Sequence, residues 1–167
     1  MDQRYRSGGM PQRMGASNAN IPQSATVDNP GLVAEDWYTY SVLFLAVTPL
    51  NSFIGSIQVE ADSDFEIIKL TQFAMVADDV AQEESSRVLP LATVLLTDTG
   101  SGRNLMNQAV AIPALFGSAE LPMILPKPKR LFARATLAVT VQNLSSTIEY
   151  SYLQLSFIGK KIFNTGQ

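Results

Sequence analysis

The sequence contains no histidine and no cysteine. The absence of histidine excludes Ser-His-Asp and Cys-His catalytic groups and removes the commonest metal ligand of proteins. The absence of cysteine excludes disulfides, thiolate nucleophiles and cysteine-based zinc sites. The chain therefore lacks two of the side chains that enzymes use most often as general bases, nucleophiles and metal ligands.

Charge and long apolar runs are also scarce. Asp, Glu, Lys and Arg make up only 16% of the chain, and the net charge of −3 supplies no basic field for nucleic acid. The longest apolar run, around Val42 to Val47, is shorter than the roughly 18 residues of a membrane-spanning helix. The polar N-terminus lacks the apolar core of a signal peptide. We expect a soluble protein, made in the cytoplasm, that binds neither nucleic acid nor a membrane.

The first 31 residues differ from the rest of the chain. They are rich in Gly, Ser, Asn, Gln and Pro and show no helical or strand periodicity. They read either as an unstructured terminus or as an extended arm that lies along a neighbouring subunit. We favour the arm, which divides the chain into an extended N-terminal arm over residues 1–31 and a β-sandwich domain over 32–167. The expected partner contacts of the arm are Arg4, Tyr5, Arg6, Met10, Arg13 and Met14.

The remainder of the chain has the pattern of β-strands. Alternating, β-branched and aromatic segments recur between short turn signals, and no segment is long enough to require a helical crossover. This predicts an all-β fold, an antiparallel β-sandwich with jelly-roll-like connections. The predicted strands cover 38–47, 53–60, 65–77, 91–98, 103–112, 135–142 and 148–163, with a Pro-rich segment at 122–128 that suits an edge or a crossover.

Period-two alternation predicts which side chains face the core. Leu137, Val139 and Val141 are expected to point inward. In the last strand, Leu153, Leu155 and Phe157 are expected on one face, with Ile148, Tyr150 and Tyr152 on the other. Trp37, the first residue of the first strand, is expected to cap the core.

Two acidic clusters are the candidates for metal binding or carboxylate catalysis. Asp62, Asp64 and Glu66 alternate along an extended segment, and their oxygens suit Ca²⁺. Four more acids lie between residues 78 and 84, where paired carboxylates held across a cleft would suit glycoside hydrolysis. Neither cluster has a glycine-anchored ligand loop or stacking aromatics beside it, so we interpret both as solvated segments. We expect no enzymatic activity, no cofactor and no metal site.

Two short motifs are interpreted as turns. Gly100-Ser101-Gly102 lacks the following Gly-Lys-Ser/Thr and helix of a phosphate-binding loop. Asn143-Leu144-Ser145 matches a glycosylation acceptor, but no secretion signal accompanies it.

Basic residues concentrate in one short segment. Lys127, Lys129, Arg130 and Arg134 place four of the twelve basic residues within eight positions. One interpretation is an edge strand that Lys and Pro protect from unwanted pairing. The other is electrostatic contact with an acidic subunit surface, such as residues 60–84 of this same chain, which carry eight acids and one lysine. We therefore expect these four residues to contact a partner and the chain to self-associate as a homo-oligomer.

The segment from Leu121 to Phe163 combines a Pro-rich lead (LPMILPKPKRLFA), an alternating strand ending in Val-Gln-Asn-Leu, and a last strand ending in F-I-G-K-K-I-F. This ending resembles that of small virion structural proteins of tailed bacteriophages. The resemblance implies a virion protein, made in the host cytoplasm, whose partners are the major capsid protein or other virion subunits. Within that class we expect a capsid decoration (cement) protein; the alternative is a neck, collar or tail accessory protein. Outside a virion, the alternative is a carbohydrate- or protein-binding β-sandwich.

Overall fold

The computed structural model describes residues 34–76 and 88–163. The predicted arm with its six contact residues, and the acids between 78 and 84, lie outside these ranges, so both remain predictions. Within the ranges, nine strands and one helical turn follow one another along the chain. They are β1 (Glu35–Val47), β2 (Ser52–Gln58), β3 (Ser63–Val76), β4 (Ala92–Asp98), β5 (Arg103–Asn104), β6 (Val110–Ala111), α1 (Ile112–Leu115), β7 (Met123–Leu131), β8 (Thr136–Asn143) and β9 (Tyr150–Phe163).

The strands form two antiparallel sheets that pack against each other. The first sheet has the order β1-β9-β3-β7, and the second has the order β2-β8-β4-β5, with β6 also paired to β4. When β5 and β6 are counted as one interrupted strand, these two orders are those of an eight-stranded jelly roll. The prediction of an all-β sandwich is confirmed.

Alternating side chains from both sheets form the core. Leu137, Val139 and Val141 of β8 are fully buried, as their alternation predicts, and they pack in one cluster with Leu155 and Phe157 of β9. Burying each such side chain stabilises the fold by about 1.5–3 kcal/mol. These side chains form one hydrophobic cluster between the two sheets.

The prediction for Tyr150 was wrong. β9 carries one extra residue relative to β3 between Tyr150 and Tyr152, a β-bulge that turns Tyr150 to the inner face. Tyr150 is buried, and its hydroxyl accepts a hydrogen bond from the backbone N–H of Leu91 at 2.8 Å. A single bulged residue has thus reversed the facing that alternation predicts.

The prediction for Trp37 was also wrong. Trp37 is 61% exposed and lies opposite Lys160 in the β1–β9 ladder, on the outer face of the first sheet. The ammonium of Lys69 lies 5.7 Å from the centroid of its ring. Trp37 therefore belongs to the surface and not to the core.

The turn after β8 is built around a buried amide. Asn143 is fully buried, and its Nδ2 donates hydrogen bonds to the carbonyls of Val47 at 3.0 Å and Ile148 at 2.8 Å. Its Oδ1 accepts a hydrogen bond from the Ser145 backbone N–H at 2.9 Å. The Asn-Leu-Ser motif is a turn that ties three chain segments together, and its amide is enclosed in the fold.

The segment predicted as a strand over 103–112 is interrupted. Within this segment, only the two-residue strands β5 and β6 pair with β4. The helical turn α1 follows, with Pro113 in its first turn. In the part of the chain that the structure describes, no helix is long and apolar enough to span a membrane.

Candidate interaction surfaces

The predicted basic segment lies on β7 and in the turn that follows it. β7 is an edge strand of the first sheet, as its proline spacing predicts. Ile67 of β3 pairs with Lys129, whereas Lys69 pairs with Ile124, so residues 125–128 leave the ladder. Pro126 and Pro128 lie in this stretch and have no N–H to donate.

Arg130 is engaged within its own chain. Its Nε donates a hydrogen bond to Oδ2 of Asp64 at 2.9 Å, and its second guanidinium nitrogen lies 2.7 Å from the same oxygen. The backbone N–H of Ala133 donates to Oδ1 of Asp64 at 2.7 Å. The acidic and basic segments are neighbours in one sheet, and the Asp64–Arg130 contact is made inside the subunit.

The other three basic residues are exposed. Within the described ranges, Lys127, Lys129 and Arg134 form no ion pair. Arg134 has a left-handed backbone (φ 66°) and donates its N–H to the carbonyl of Val59 at 3.1 Å. Lys127 and Lys129 line a cavity beside β7. In the basic segment, Arg130 is thus bound to Asp64 within the chain, whereas Lys127, Lys129 and Arg134 are exposed.

The acids of the first cluster do not converge on one point. Asp62 accepts a hydrogen bond from the Ser63 hydroxyl, Asp64 holds Arg130, and Glu66 lies 3.4 Å from the ammonium of Lys160. Among the described residues there is no group of three or more acids placed to hold a metal ion.

The outer faces of the two sheets differ in composition. The outer positions of β2, β8 and β4 in the second sheet are mostly small or polar: Ser52, Ser56, Gln58, Thr93, Thr97, Thr136, Ala138, Thr140 and Gln142. Isolated Ile54 and Leu95 interrupt them. This is the ordinary surface of a solvated sheet.

The first sheet carries an apolar face on its outer side, which we define as Leu43, Leu45, Phe73, Met75 and Tyr152. The ladder aligns Leu43, Gln154 and Phe73 across three strands, and it aligns Leu45, Tyr152 and Met75 beside them. Leu43 is 48%, Leu45 63% and Phe73 39% exposed. The rings of Phe73 and Tyr152 meet edge to face at 5.8 Å.

A chain of hydrogen bonds runs through the apolar face, because Gln154 lies between Leu43 and Phe73 in the ladder. The Tyr152 hydroxyl donates to Oε1 of Gln154 at 2.8 Å, and Nε2 of Gln154 donates to the Ser156 hydroxyl at 3.2 Å. The Ser156 and Ser41 hydroxyls are 2.9 Å apart. The side-chain polar groups of Tyr152, Gln154, Ser156 and Ser41 are thus hydrogen-bonded to one another.

Loops at one end of the sandwich add a second apolar surface. Leu91 receives a hydrogen bond on its carbonyl from Leu144, and Leu50 donates to the carbonyl of Ser145, which ties the loops together. We call this surface the apolar end: Leu50, Leu89, Leu91, Leu144 and Ile148, each between 40% and 70% exposed. β1, β3 and β9 reach the same end of the sandwich at Val47, Val76 and Tyr150. The apolar face and the apolar end therefore lie at the same end of the domain.

The open edge of the first sheet is strand β1. Its thirteen residues pair with β9 on one side, and among the described strands none pairs with the other side. β1 contains no proline and no basic residue. Natural edge strands are usually protected by such residues or covered by a partner.

Sequence reasoning missed both apolar surfaces. Four of the five residues of the apolar end are leucines in loops, and β1 is apolar on both sides from Val42 to Leu45. A local pattern cannot distinguish an exposed leucine from a buried one in such a run.

The chain matches no protein-family model and no curated protein.

Proposed function

We propose that this chain is a structural protein of a bacteriophage virion, a capsid decoration (cement) protein that binds and bridges major capsid subunits. The observation that carries the proposal is the contrast between the two outer faces. One is polar like an ordinary solvated sheet, and the other bears the apolar face beside the apolar end. Contiguous exposed apolar surface on a soluble domain is typical of protein interaction sites.

The composition of the surface supports a protein partner. Aromatic residues and methionine are enriched in interfaces, and charged residues are depleted at their centres. The apolar face has Phe73, Tyr152 and Met75 on adjacent strands and contains no charged residue. It therefore has the chemistry of the centre of an interface.

The fold and the last strands add support of a weaker kind. Jelly rolls are used by viral capsid domains, but also by lectins and other proteins, so the fold alone does not choose among functions. The resemblance of the ending Phe157-Ile158-Gly159-Lys160-Lys161 to small phage virion proteins favours the capsid.

The open edge supports self-association. A free β-strand can pair with a strand of another molecule through its main chain, and neighbouring side chains then supply specificity. β1 presents Leu43 and Leu45 next to this edge. An extended arm over residues 1–31, with a reach on the order of 90 Å, would serve the same bridging role between subunits.

The test is reconstitution of the protein onto phage particles that lack it. Leu45→Asp places a charge in the apolar face, and we expect it to reduce particle occupancy about tenfold or more at a fixed protein concentration. Ile54→Asp is the matched control, because Ile54 is also an exposed strand residue (77%) but lies on the polar sheet. The control should bind like the unmodified protein, with equal thermal stability for all three proteins.

Two outcomes would overturn the proposal. Equal occupancy by Leu45→Asp would show that the apolar face is not the binding surface. A component of the capsid shell should be present in hundreds of copies per virion. A copy number as small as that of a single ring of subunits would instead assign the protein to the neck or tail. Gel densitometry against the major capsid protein measures that number.

A further inference from the structure

A cavity of about 300 Å³ opens between the two sheets on the β7 side of the sandwich. Its buried wall includes Leu70, Leu96 and Phe157, and its half-buried wall includes Leu105, Met106 and Leu125. Lys127 and Lys129 are the charged residues in its lining. The cavity is separate from the apolar face and the apolar end.

The sequence of β7 explains why the sandwich is open here. Residues 125–128 (Leu-Pro-Lys-Pro) stand opposite the single residue Ile68, since Ile67 pairs with Lys129 and Lys69 pairs with Ile124. Pro126 and Pro128 have no N–H to donate to β3, which weakens the ladder in this stretch. The strand therefore bulges away from its sheet, and Leu125, Lys127 and Lys129 are left around the opening.

The charges at the opening are free to meet a ligand. Neither lysine forms an ion pair with any residue in the described ranges. Lys129 is near enough to Asp98 to help lower the pKa of that carboxyl, although the hydrogen bond from Ser101 is the larger cause. Asp98 also accepts hydrogen bonds from the Ser101 hydroxyl and the Gly100 N–H, and it forms no ion pair with either lysine.

We propose that this cavity binds a free medium-chain alkyl carboxylate, with the hydrocarbon chain against the leucine and phenylalanine wall and the carboxylate at Lys127 and Lys129. Lysines at the opening of an apolar cavity complement a ligand with one anionic end and an apolar body. A neutral apolar ligand would gain nothing from the two charges, and a cationic one would be repelled by them.

The volume sets the length of the ligand. We take a chain of about ten carbons as the expected length for a cavity of about 300 Å³. Ligand pockets in proteins start at roughly this size. Longer chains would have to leave part of their length in water.

Lysines directed inward from an edge strand also discourage pairing with other chains. That role needs no cavity. Ligand binding distinguishes the two roles. If the lysines only protect the edge strand, the protein should show no preference for the chain length or the head group of an alkyl ligand.

The experiment is a titration of the full chain with hexanoate, octanoate, decanoate and dodecanoate, below their micelle concentrations, by calorimetry and methyl NMR. Each added methylene should tighten Kd about three- to fourfold up to decanoate, with little further gain for dodecanoate. The Met106 methyl resonance should shift, while that of Met75 on the apolar face should not.

Substitutions test the head-group site. Lys127→Gln with Lys129→Gln should weaken decanoate binding about five- to tenfold and leave decanol binding unchanged. The control, Lys69→Gln with Lys160→Gln, also removes two positive charges, but from the outer face of the first sheet. It should leave the binding of decanoate and of decanol unchanged. The proposal is overturned if decylammonium binds as tightly as decanoate, if Met75 responds instead of Met106, or if the Lys127/Lys129 variant binds decanoate normally.

Discussion

Asp64 and Arg130 lie diagonally across the β3–β7 ladder, and the carboxylate is much the better buried of the two: the side chain of Asp64 is 8% exposed and that of Arg130 is 47% exposed. The carboxylate also accepts the Ala133 backbone N–H. One acid thus holds the arginine of the edge strand and the start of the turn that leads to β8.

The first prediction concerns this unequal pair. Asp64→Ala should lower the free energy of unfolding by about 1–3 kcal/mol, because the Ala133 N–H loses its acceptor. Arg130→Gln should cost less, about 1 kcal/mol or below, because half-exposed ion pairs contribute little. Urea denaturation of both variants measures the difference. Equal costs would mean that the arginine, and not the backbone N–H, is the main partner of Asp64.

The second prediction concerns Gly159. A Cβ at this position would overlap the backbone carbonyl of Glu66, where β9 passes closest to the bulged part of β3. Gly159→Ala should therefore destabilise the domain by about 1–3 kcal/mol, since backbone cannot move aside as a side-chain end does. Gly100→Ala is the control: its nearest neighbour would be Oδ1 of Asp98 at 3.4 Å, so we expect a change within about 0.5 kcal/mol. A Gly159→Ala protein with unchanged thermal stability would refute the close approach of the strands.

The third prediction concerns Lys161 at alkaline pH. Lys161 is buried, its ammonium forms an ion pair with Glu60, and it lies 3.9 Å from the ring centroid of Tyr38. Burial lowers the pKa of Lys161, but the hydrogen bond to Glu60 and the attraction of Tyr40 and Glu60 outweigh it, so the pKa is raised above 10.5. Burial raises the pKa of Tyr40 above 10.0.

Both shifts favour the protonated form in the folded state. Their contribution to the free energy of unfolding is fully present below the pKa values of the two groups in the unfolded chain, which are about 10. It is lost as the pH rises through their higher pKa values in the folded protein. The free energy of unfolding should therefore fall between about pH 9 and pH 12, and it should fall less steeply in Lys161→Met. Lys127→Met, which removes an exposed lysine, should keep the slope of the unmodified protein. Urea denaturation across this pH range measures all three slopes, and identical slopes would contradict the assignment.

Much of the sandwich could be predicted because its signals are local. In β8 a polar or small residue alternates with Leu137, Val139 and Val141, and all three face the core. The proline spacing of β7 predicted an edge strand or a crossover for an equally local reason, since proline cannot donate to a ladder, and the structure shows the edge strand. Tyr150 shows the limit of such reasoning, because a bulge of one residue reverses the side that a residue faces.

The candidate surfaces depend on distant residues. Phe73 of β3 and Leu45 of β1 belong to one apolar face only because β9 pairs between their strands. Composition alone revealed the basic segment, but it did not show which of its charges are paired within the chain. Arg130 is bound by Asp64, 66 positions earlier, whereas Lys127 and Lys129 line the cavity.

The sequence by itself determined that this chain cannot use histidine or cysteine chemistry, that it folds as an antiparallel β-sandwich, and that the Pro-rich segment of β7 is not a central strand. These follow from composition, from alternation and from the missing N–H of proline. The tertiary structure decided which leucines face water, which arginine is bound within the chain, and where the two sheets leave a cavity. Strand pairing joins residues that are far apart in sequence, and no local pattern contains that information.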